Sequence, residues 1–171
     1  PVASFDVAEL AAMRLDGTDE SIPRLGEVLD ALAGPIVPEL KVEGVPTRLA
    51  DALVAYDGRV LVSSFRPAAL EALPPALDRA ILASPPAEDA DWTFPEGMPT
   101  TLEAAVDVAR RLDATAVHPH TSLCDPGAVA DAQDAGLAVN AWTIRDRETA
   151  ESMREAGVDG VIADDPDFVA A

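Results

Sequence analysis

The strongest constraint in this sequence is a regular alternation of short apolar runs with amphipathic stretches. The apolar runs are rich in Val, Ile, Leu and Ala and are bounded by Gly, Pro or polar residues, which predicts strands. These predicted strands are residues 36–42, 60–65, 80–84, 115–118, 138–143 and 160–163. Helical patterns lie before and between them, at residues 24–32, 47–55, 67–73, 102–112, 126–135 and 147–156. This rhythm favours an α/β fold in which helices cover a parallel sheet.

Two architectures share this rhythm, an open doubly wound sheet and a closed (βα)8 barrel, the TIM barrel. The 171 residues are one domain's worth of sequence. Six strands would leave two exposed sheet edges, whereas a barrel needs eight strands. If the fold is a barrel, we expect this chain to supply about six βα units, strands 3 to 8. The first two units would then lie outside the sequence, which begins at Pro1 rather than at Met.

Three local features complete the prediction. Residues 1–21 fit neither the strand nor the helix pattern. Thr100 is a candidate N-cap for the helix beginning near residue 102, with Glu103 three positions later as in a capping box. Residues 85–99 contain four prolines and are predicted to form an irregular loop.

The charge balance excludes several classes of partner. Asp and Glu total 31 against 12 for Lys and Arg, giving a net charge of −19. Such a surface repels nucleic acid and an anionic membrane face, and no apolar run approaches the roughly 20 residues of a membrane span. Acid excess with a single lysine, Lys41, resembles the proteins of salt-loving archaea, so we expect a halophilic protein stabilised by KCl. One cysteine, Cys124, excludes an internal disulfide and suits the cytoplasm.

Glu39 and Lys41 are the most informative charged residues. They lie two apart in an apolar predicted strand, so both point to one face of the sheet. Two buried opposite charges are costly unless they are paired or ligated. Glu39 is therefore a candidate ligand for a hard metal ion and Lys41 a candidate binder of phosphate or an oxyanion. A structural ion pair at a strand end is the alternative.

Other candidates lie at the ends of predicted strands, where barrel enzymes place their working groups. Ser64 could line a pocket, or it could be an inert strand-end serine. Trp142 could form a pocket wall, although an isolated tryptophan is more often a core residue. His118, His120 and Cys124 are a weak match to a zinc site because they lie within seven residues with no second cluster. His118 remains a candidate substrate contact at the rim.

Five segments, in order along the chain, resemble motifs of the glycerophosphodiester phosphodiesterase family. Residues 22–29 resemble its I-P-x-L-x-E-x-L segment, and residues 38–41 (PELK) resemble its E-x-K strand. Residues 62–65 (VSSF) and 141–144 (AWTI) resemble its S-F and W-T-V strands. Residues 157–166 (GVDGVIADDP) resemble its closing G-V-D-G-I-x-T-D-x-P. The opening residues also resemble the family's insertion before I-P-x-L.

The resemblance implies a (βα)8 barrel that uses a divalent metal, Mg or Ca, to hydrolyse glycerophosphodiesters to glycerol 3-phosphate and an alcohol. It implies that Glu39 is a metal ligand, that Lys41 contacts the phosphate as a catalytic residue, and that Trp142 lines the glycerol side of the pocket. The implied partner is a small-molecule glycerophosphodiester. The sequence does not define the oligomeric state.

The sequence also departs from the family pattern. The family's catalytic histidines, in H-R-G and H-D motifs, and its E-x-D metal ligands have no counterpart among the 171 residues. We therefore expect this chain alone to be inactive and to function when completed by an N-terminal part. A truncated or degenerate, non-catalytic paralogue that keeps an anion pocket is the alternative. Another phosphate-handling barrel enzyme, such as a sugar-phosphate isomerase, would explain the rhythm but not the E-L-K and W-T motifs.

Overall fold

The computed structural model describes residues 2–15, 17–44, 47–86 and 95–169 of the chain. Its centre is a sheet of five parallel strands in the order β1-β2-β3-β4-β5. The strands are β1 (Leu61–Ser64), β2 (Asp78–Ala83), β3 (Ala116–Pro119), β4 (Ala138–Ile144) and β5 (Gly160–Ala163). All five coincide with predicted strands, which confirms the predicted parallel α/β architecture.

Seven α-helices lie in the described ranges, and six of them match the predicted helical patterns. The helices are α1 (Val7–Ala12), α2 (Leu25–Ala31), α3 (Thr47–Val54), α4 (Pro67–Glu71), α5 (Leu102–Arg111), α6 (Pro126–Asp134) and α7 (Arg147–Ala156). Helices α4 to α7 each connect two neighbouring parallel strands. The exception is α1, which lies in residues 1–21, where the sequence fits neither pattern well; Asp6 is its N-cap and forms a capping box with Glu9.

The predicted first strand, residues 36–42, is not a continuous strand. It lies parallel to β1 but contacts it through two isolated bridges, Ile36 with Val60 and Glu39 with Ser63. Pro38 lies between the bridges and has no N–H to donate to β1, so the ladder is interrupted. This edge segment, residues 36–43, keeps the register of a sixth strand and part of its backbone hydrogen bonding, but it lacks the bond that a residue with an N–H at position 38 would donate. The described residues therefore supply four regular βα units, from β1-α4 to β4-α7, one irregular unit made of the edge segment and α3, and a last strand, β5, that is followed by a short 3-10 helix.

The two faces of the sheet have different environments. Side chains on the outer face, such as Val62, Ile81 and Val117, pack with α4 to α7 in one hydrophobic core. The opposite, inner face carries Ser63, His118 and other polar or aromatic groups. A parallel sheet with helices on one face and functional groups on the other is the arrangement of a barrel wall.

One local prediction, the N-cap of α5, is wrong, and another, the loop at residues 85–99, lies partly outside the described residues. Thr101, not Thr100, caps α5, and its hydroxyl accepts a hydrogen bond from the amide of Ala104 at 3.1 Å. Of the predicted loop at residues 85–99, residues 87–94 lie outside the described part of the chain. Within the described ranges, no helix has both the length and the apolar character needed to cross a membrane.

Candidate active site

A cavity of about 580 Å³ lies on the inner face of the sheet, toward the C-terminal ends of the strands. Parallel strands bring their carboxyl ends to one edge, so residues distant in sequence meet there. The cavity is lined by Val37, Glu39, Lys41, Ser63, Phe65, Leu82, His118, Trp142, Thr143, Val161, Ile162 and Ala163. Three of the four predicted site residues, Glu39, Lys41 and Trp142, are thereby brought together.

Glu39 and Lys41 form an ion pair in the edge segment, with Lys41 Nζ 2.7 Å from Glu39 Oε1. The Glu39 side chain is 29% exposed and the Lys41 side chain 74% exposed. The expectation that both charges are buried is therefore wrong for Lys41, because the edge segment leaves the sheet there. Glu39 Oε1 itself is buried and has no further partner among the described residues. The ammonium thus lies at the cavity mouth, where an anion could reach it.

Ser64 lies outside the cavity lining. Its hydroxyl donates a hydrogen bond to the carbonyl of Leu40 at 2.7 Å and accepts one from the amide of Arg66 at 3.0 Å. Alternation along β1 turns Ser63 and Phe65 to the cavity and Ser64 away from it. The predicted substrate contact at Ser64 is not supported by this placement, and Ser64 instead ties the edge segment to β1.

Trp142 forms an aromatic wall of the cavity. Its indole N–H donates a hydrogen bond to the carbonyl of His118 at 2.7 Å. Phe65 and His120 contact it edge-to-face, with ring centroids 5.4 and 5.2 Å away. These contacts fix the ring plane, so the wall has a defined position before any ligand binds.

His118 lies on the inner face beneath this wall and is 1% exposed. Burial lowers the pKa of His118 from 6.5 to about 4, so the ring is neutral at pH 7. Its Nε2 lies 3.1 Å from Asn140 Nδ2, while its buried Nδ1 has no partner among the described residues. No local sequence pattern connects His118 with Asn140, because their contact depends on the register of β3 with β4.

The donor set fits one ligand of a hard cation rather than a complete metal site. The buried Oε1 of Glu39, partnered by Lys41 alone, is a donor of the kind that Mg²⁺ and Ca²⁺ prefer. These cations take about six to eight oxygen ligands. No group of three or more His, Cys, Asp or Glu suited to a metal is found in the described ranges. We therefore derive no catalytic step through a metal from this chain.

Comparison with protein families gives one match over nearly the whole chain. Residues 5–168 match the model of the glycerophosphoryl diester phosphodiesterase family. A search of curated proteins found no match.

Solved structures resemble the chain in fold. One is an Oleispira antarctica phosphodiesterase in complex with the product sn-glycerol-3-phosphate, at 26% identity and a TM-score of 0.57 over 72% of this chain. A candidate glycerophosphodiester phosphodiesterase from Galdieria sulphuraria has 22% identity and a TM-score of 0.76 over 96%. The glycerophosphodiester phosphodiesterase from Thermotoga maritima has 20% identity and a TM-score of 0.60 over 92%.

The chain is shorter than the proteins it resembles. It covers 46% of the Oleispira chain, 68% of the Galdieria chain and 65% of the Thermotoga chain. The fold of these relatives is a TIM barrel, and the five-stranded parallel sheet described above corresponds to part of its wall.

Proposed function

Since the chain belongs to the glycerophosphoryl diester phosphodiesterase family, we propose that it forms part of a hydrolase that cleaves glycerophosphodiesters to glycerol 3-phosphate and an alcohol. The observation that carries this proposal is the convergence of Glu39, Lys41 and Trp142 on one cavity at the C-terminal edge of a parallel sheet. The Oleispira antarctica phosphodiesterase structure contains the product sn-glycerol-3-phosphate, which supports this choice of product. Such a reaction would serve phospholipid breakdown, here in the cytoplasm.

Each of these residues has a physical role in the proposal. Lys41 is the catalytic cation: its exposed ammonium contacts the phosphate and offsets the negative charge that develops on the phosphoryl oxygens. Glu39 orients that ammonium through the 2.7 Å ion pair. Trp142 packs against the glycerol carbons, since an indole face buries aliphatic surface well.

We propose Glu39 also as one ligand of a divalent metal, Mg or Ca, whose other ligands come from water, the substrate and residues outside this sequence. Such a metal, when bound, would neutralise phosphoryl charge. The support is the buried oxygen of Glu39, which has no partner besides Lys41 among the described residues.

Hydrolysis requires an acid and a base, and among the described residues His118 is the one histidine that lines the cavity. Its pKa, lowered to about 4 by burial, makes it a weak base and leaves no imidazolium at pH 7 to act as an acid, while His120 Nδ1 is occupied by Ser122 at 2.8 Å. We propose that residues 1–171 form a single domain, the C-terminal portion of the barrel, with 1–21 as the family insertion and 22–171 as βα repeats. Catalysis then needs an N-terminal portion to complete the site.

Binding of product tests the half of the site that the chain contains. We expect the 171-residue protein to bind sn-glycerol 3-phosphate in a calorimetric titration, and Lys41→Met to weaken binding by about tenfold, the value of a charge-assisted hydrogen bond. Arg59→Met is the matched control, because Arg59 is equally exposed but pairs with Asp78 away from the cavity. Equal binding by Lys41→Met and the wild type would contradict the role of Lys41.

Activity tests the metal and the need for completion. We expect the 171-residue protein alone to show no metal-dependent diesterase activity and an N-terminally completed protein to show it. Glu39→Gln should abolish that activity, whereas an unchanged rate at saturating Mg²⁺ or Ca²⁺ would exclude Glu39 as a ligand. Product binding without activity in the completed protein would favour the non-catalytic paralogue.

A further inference from the structure

The pairing of β3 with β4 changes in character where it reaches the cavity. The backbone ladder joins Ala116 to Ala138 and Val117 to Val139, and a further bridge joins His120 to Trp142. At the intervening position, two side-chain hydrogen bonds connect the strands. Asn140 Nδ2 lies 3.1 Å from His118 Nε2, and the Trp142 indole donates to the His118 carbonyl at 2.7 Å. Side-chain hydrogen bonds therefore supplement the backbone pairing of these strands at the cavity.

A third strand sets the space available to Asn140. A Cβ at Gly160, which pairs with Asn140 across β4 and β5, would collide with Asn140 Oδ1. Glycine at this position therefore leaves room for Asn140 Oδ1 while Nδ2 is turned to His118. The contact is close enough that any larger residue at position 160 must displace the amide.

The direction of the hydrogen bond defines the state of the histidine. With its Nδ2 turned to the ring, Asn140 can only donate; His118 Nε2 then accepts, which assigns the proton of the neutral ring to Nδ1, an atom with no acceptor among the described residues. The ring is 1% exposed and packs under the cavity wall, where a change of tautomer would break the hydrogen bond to Asn140.

We propose that His118, Asn140 and Gly160 are positioning residues that hold the Trp142 indole in the cavity wall. Gly160 places the Asn140 amide, the amide fixes the His118 ring, and the His118 backbone carbonyl anchors the indole N–H. The effect on ligand binding rests on the proposed function, whereas the effect on the Trp142 ring does not.

NMR signals of the histidine ring nitrogens report the tautomer of His118 directly. The chain has two histidines, so His120→Gln assigns the His118 signals, and Trp92→Phe assigns the indole of Trp142. We expect the wild-type protein to show the Nδ1–H tautomer of His118. Asn140→Asp places a carboxylate oxygen opposite Nε2 and should move a proton to that nitrogen, with a shift of the Trp142 indole N–H resonance. Unchanged His118 and Trp142 signals in Asn140→Asp would overturn the proposal.

A double-mutant cycle tests whether Gly160 acts on His118 and Trp142 through the Asn140 amide. Gly160→Ala should shift the same two signals and raise the Kd for sn-glycerol 3-phosphate several-fold. The double variant with Asn140→Ala should be no worse than Asn140→Ala alone, because the amide that the added methyl group displaces is then missing. Gly26→Ala is the matched control, since open space surrounds Gly26 and no effect is expected. Additive effects of the two substitutions would overturn the proposed order.

The two NMR signals separate this inference from the proposed function. They decide the positioning of Trp142 without any ligand. Failure of the wild-type protein to bind sn-glycerol 3-phosphate would overturn the proposed function alone.

Discussion

Arg79 shows how one buried side chain can complete the hydrogen bonding of a helix end. Its guanidinium donates to the carbonyl of Leu70 at 3.0 Å, in the last turn of α4, and to those of Leu73 at 2.7 Å and Pro74 at 3.2 Å, just after the helix ends. Arg79→Met would remove the donor to the Leu73 carbonyl and one of the donors to the Leu70 and Pro74 carbonyls, which also accept hydrogen bonds from the amides of Leu73 and Leu77. We expect the free energy of unfolding in urea to fall by about 2–3 kcal/mol, as for hydrogen bonds to a charged group.

Arg59 provides the comparison at the same end of the sheet. It pairs with Asp78 at 3.6 Å, and its side chain is 72% exposed. Arg59→Met should therefore change the free energy of unfolding by no more than about 1 kcal/mol. If Arg79→Met and Arg59→Met lower the free energy of unfolding equally, the buried hydrogen bonds of Arg79 stabilise the protein no more than an exposed ion pair does.

His118 gives the protein a defined sensitivity to acid. Its native pKa of about 4 lies below the ordinary value of 6.5, so between these pH values the unfolded chain holds more protons at this position. Its contribution to stability is therefore present above pH 6.5 and is lost as the pH falls toward 4, by at most about 1.4 kcal/mol per pH unit. We expect His118→Gln to show a shallower fall in the free energy of unfolding across this window.

The second histidine is the control for this titration. His120 is half-buried, and burial followed by the charge of Arg145 lowers its pKa. His120→Gln should change the pH dependence less than His118→Gln does. A proton NMR titration in which His118 protonates near its ordinary pKa of 6.5 would contradict the prediction.

At the residue scale the sequence predicts some site residues well and others not at all. Glu39, Lys41 and Trp142 stand out because a charge or an indole in an apolar run is unusual, and all three line the cavity. Ser63 and Ser64 are adjacent, and which of them faces the cavity depends on how the side chains alternate along β1. The contact between Asn140 and His118 needs the register of two strands, which no local pattern contains.

Helix α5 offers a test of capping at the scale of an element. Thr101 Oγ1 accepts a hydrogen bond from the amide of Ala104, whereas Thr100 is not the cap. Thr101→Ala should lower the free energy of unfolding by about 1 kcal/mol, the usual value of an N-cap. Thr100→Ala removes the same atoms one position earlier and should be close to neutral. A reversed order of the two variants in chemical denaturation would contradict the assignment of the cap.

Elements with a clear period were predicted correctly, and the edge segment was not. Helix α7 matches its predicted range, because its buried residues Ala150 and Met153 recur at helical spacing. Residues 36–42 have the composition of a strand, but Pro38 removes a donor and the segment pairs at two points. A ladder depends on individual hydrogen bonds, and composition does not report them.

At the scale of the whole molecule, net charge dominates the expected behaviour in solution. A charge of −19 on 171 residues causes self-repulsion that salt screens. We expect the Tm to rise steadily as KCl increases from low to molar concentration. A Tm that does not change over this range would show that the acidic surface has another purpose.

The order of the strands in the sheet has a consequence for folding during synthesis. Every strand pairs with the strand that precedes it in the chain, in the order β1-β2-β3-β4-β5. Each βα unit can therefore dock on a finished neighbour as soon as it leaves the ribosome, without waiting for a distant segment. Synthesis from the N-terminus and growth of the sheet then run in the same direction, and the nascent chain exposes one new edge at a time.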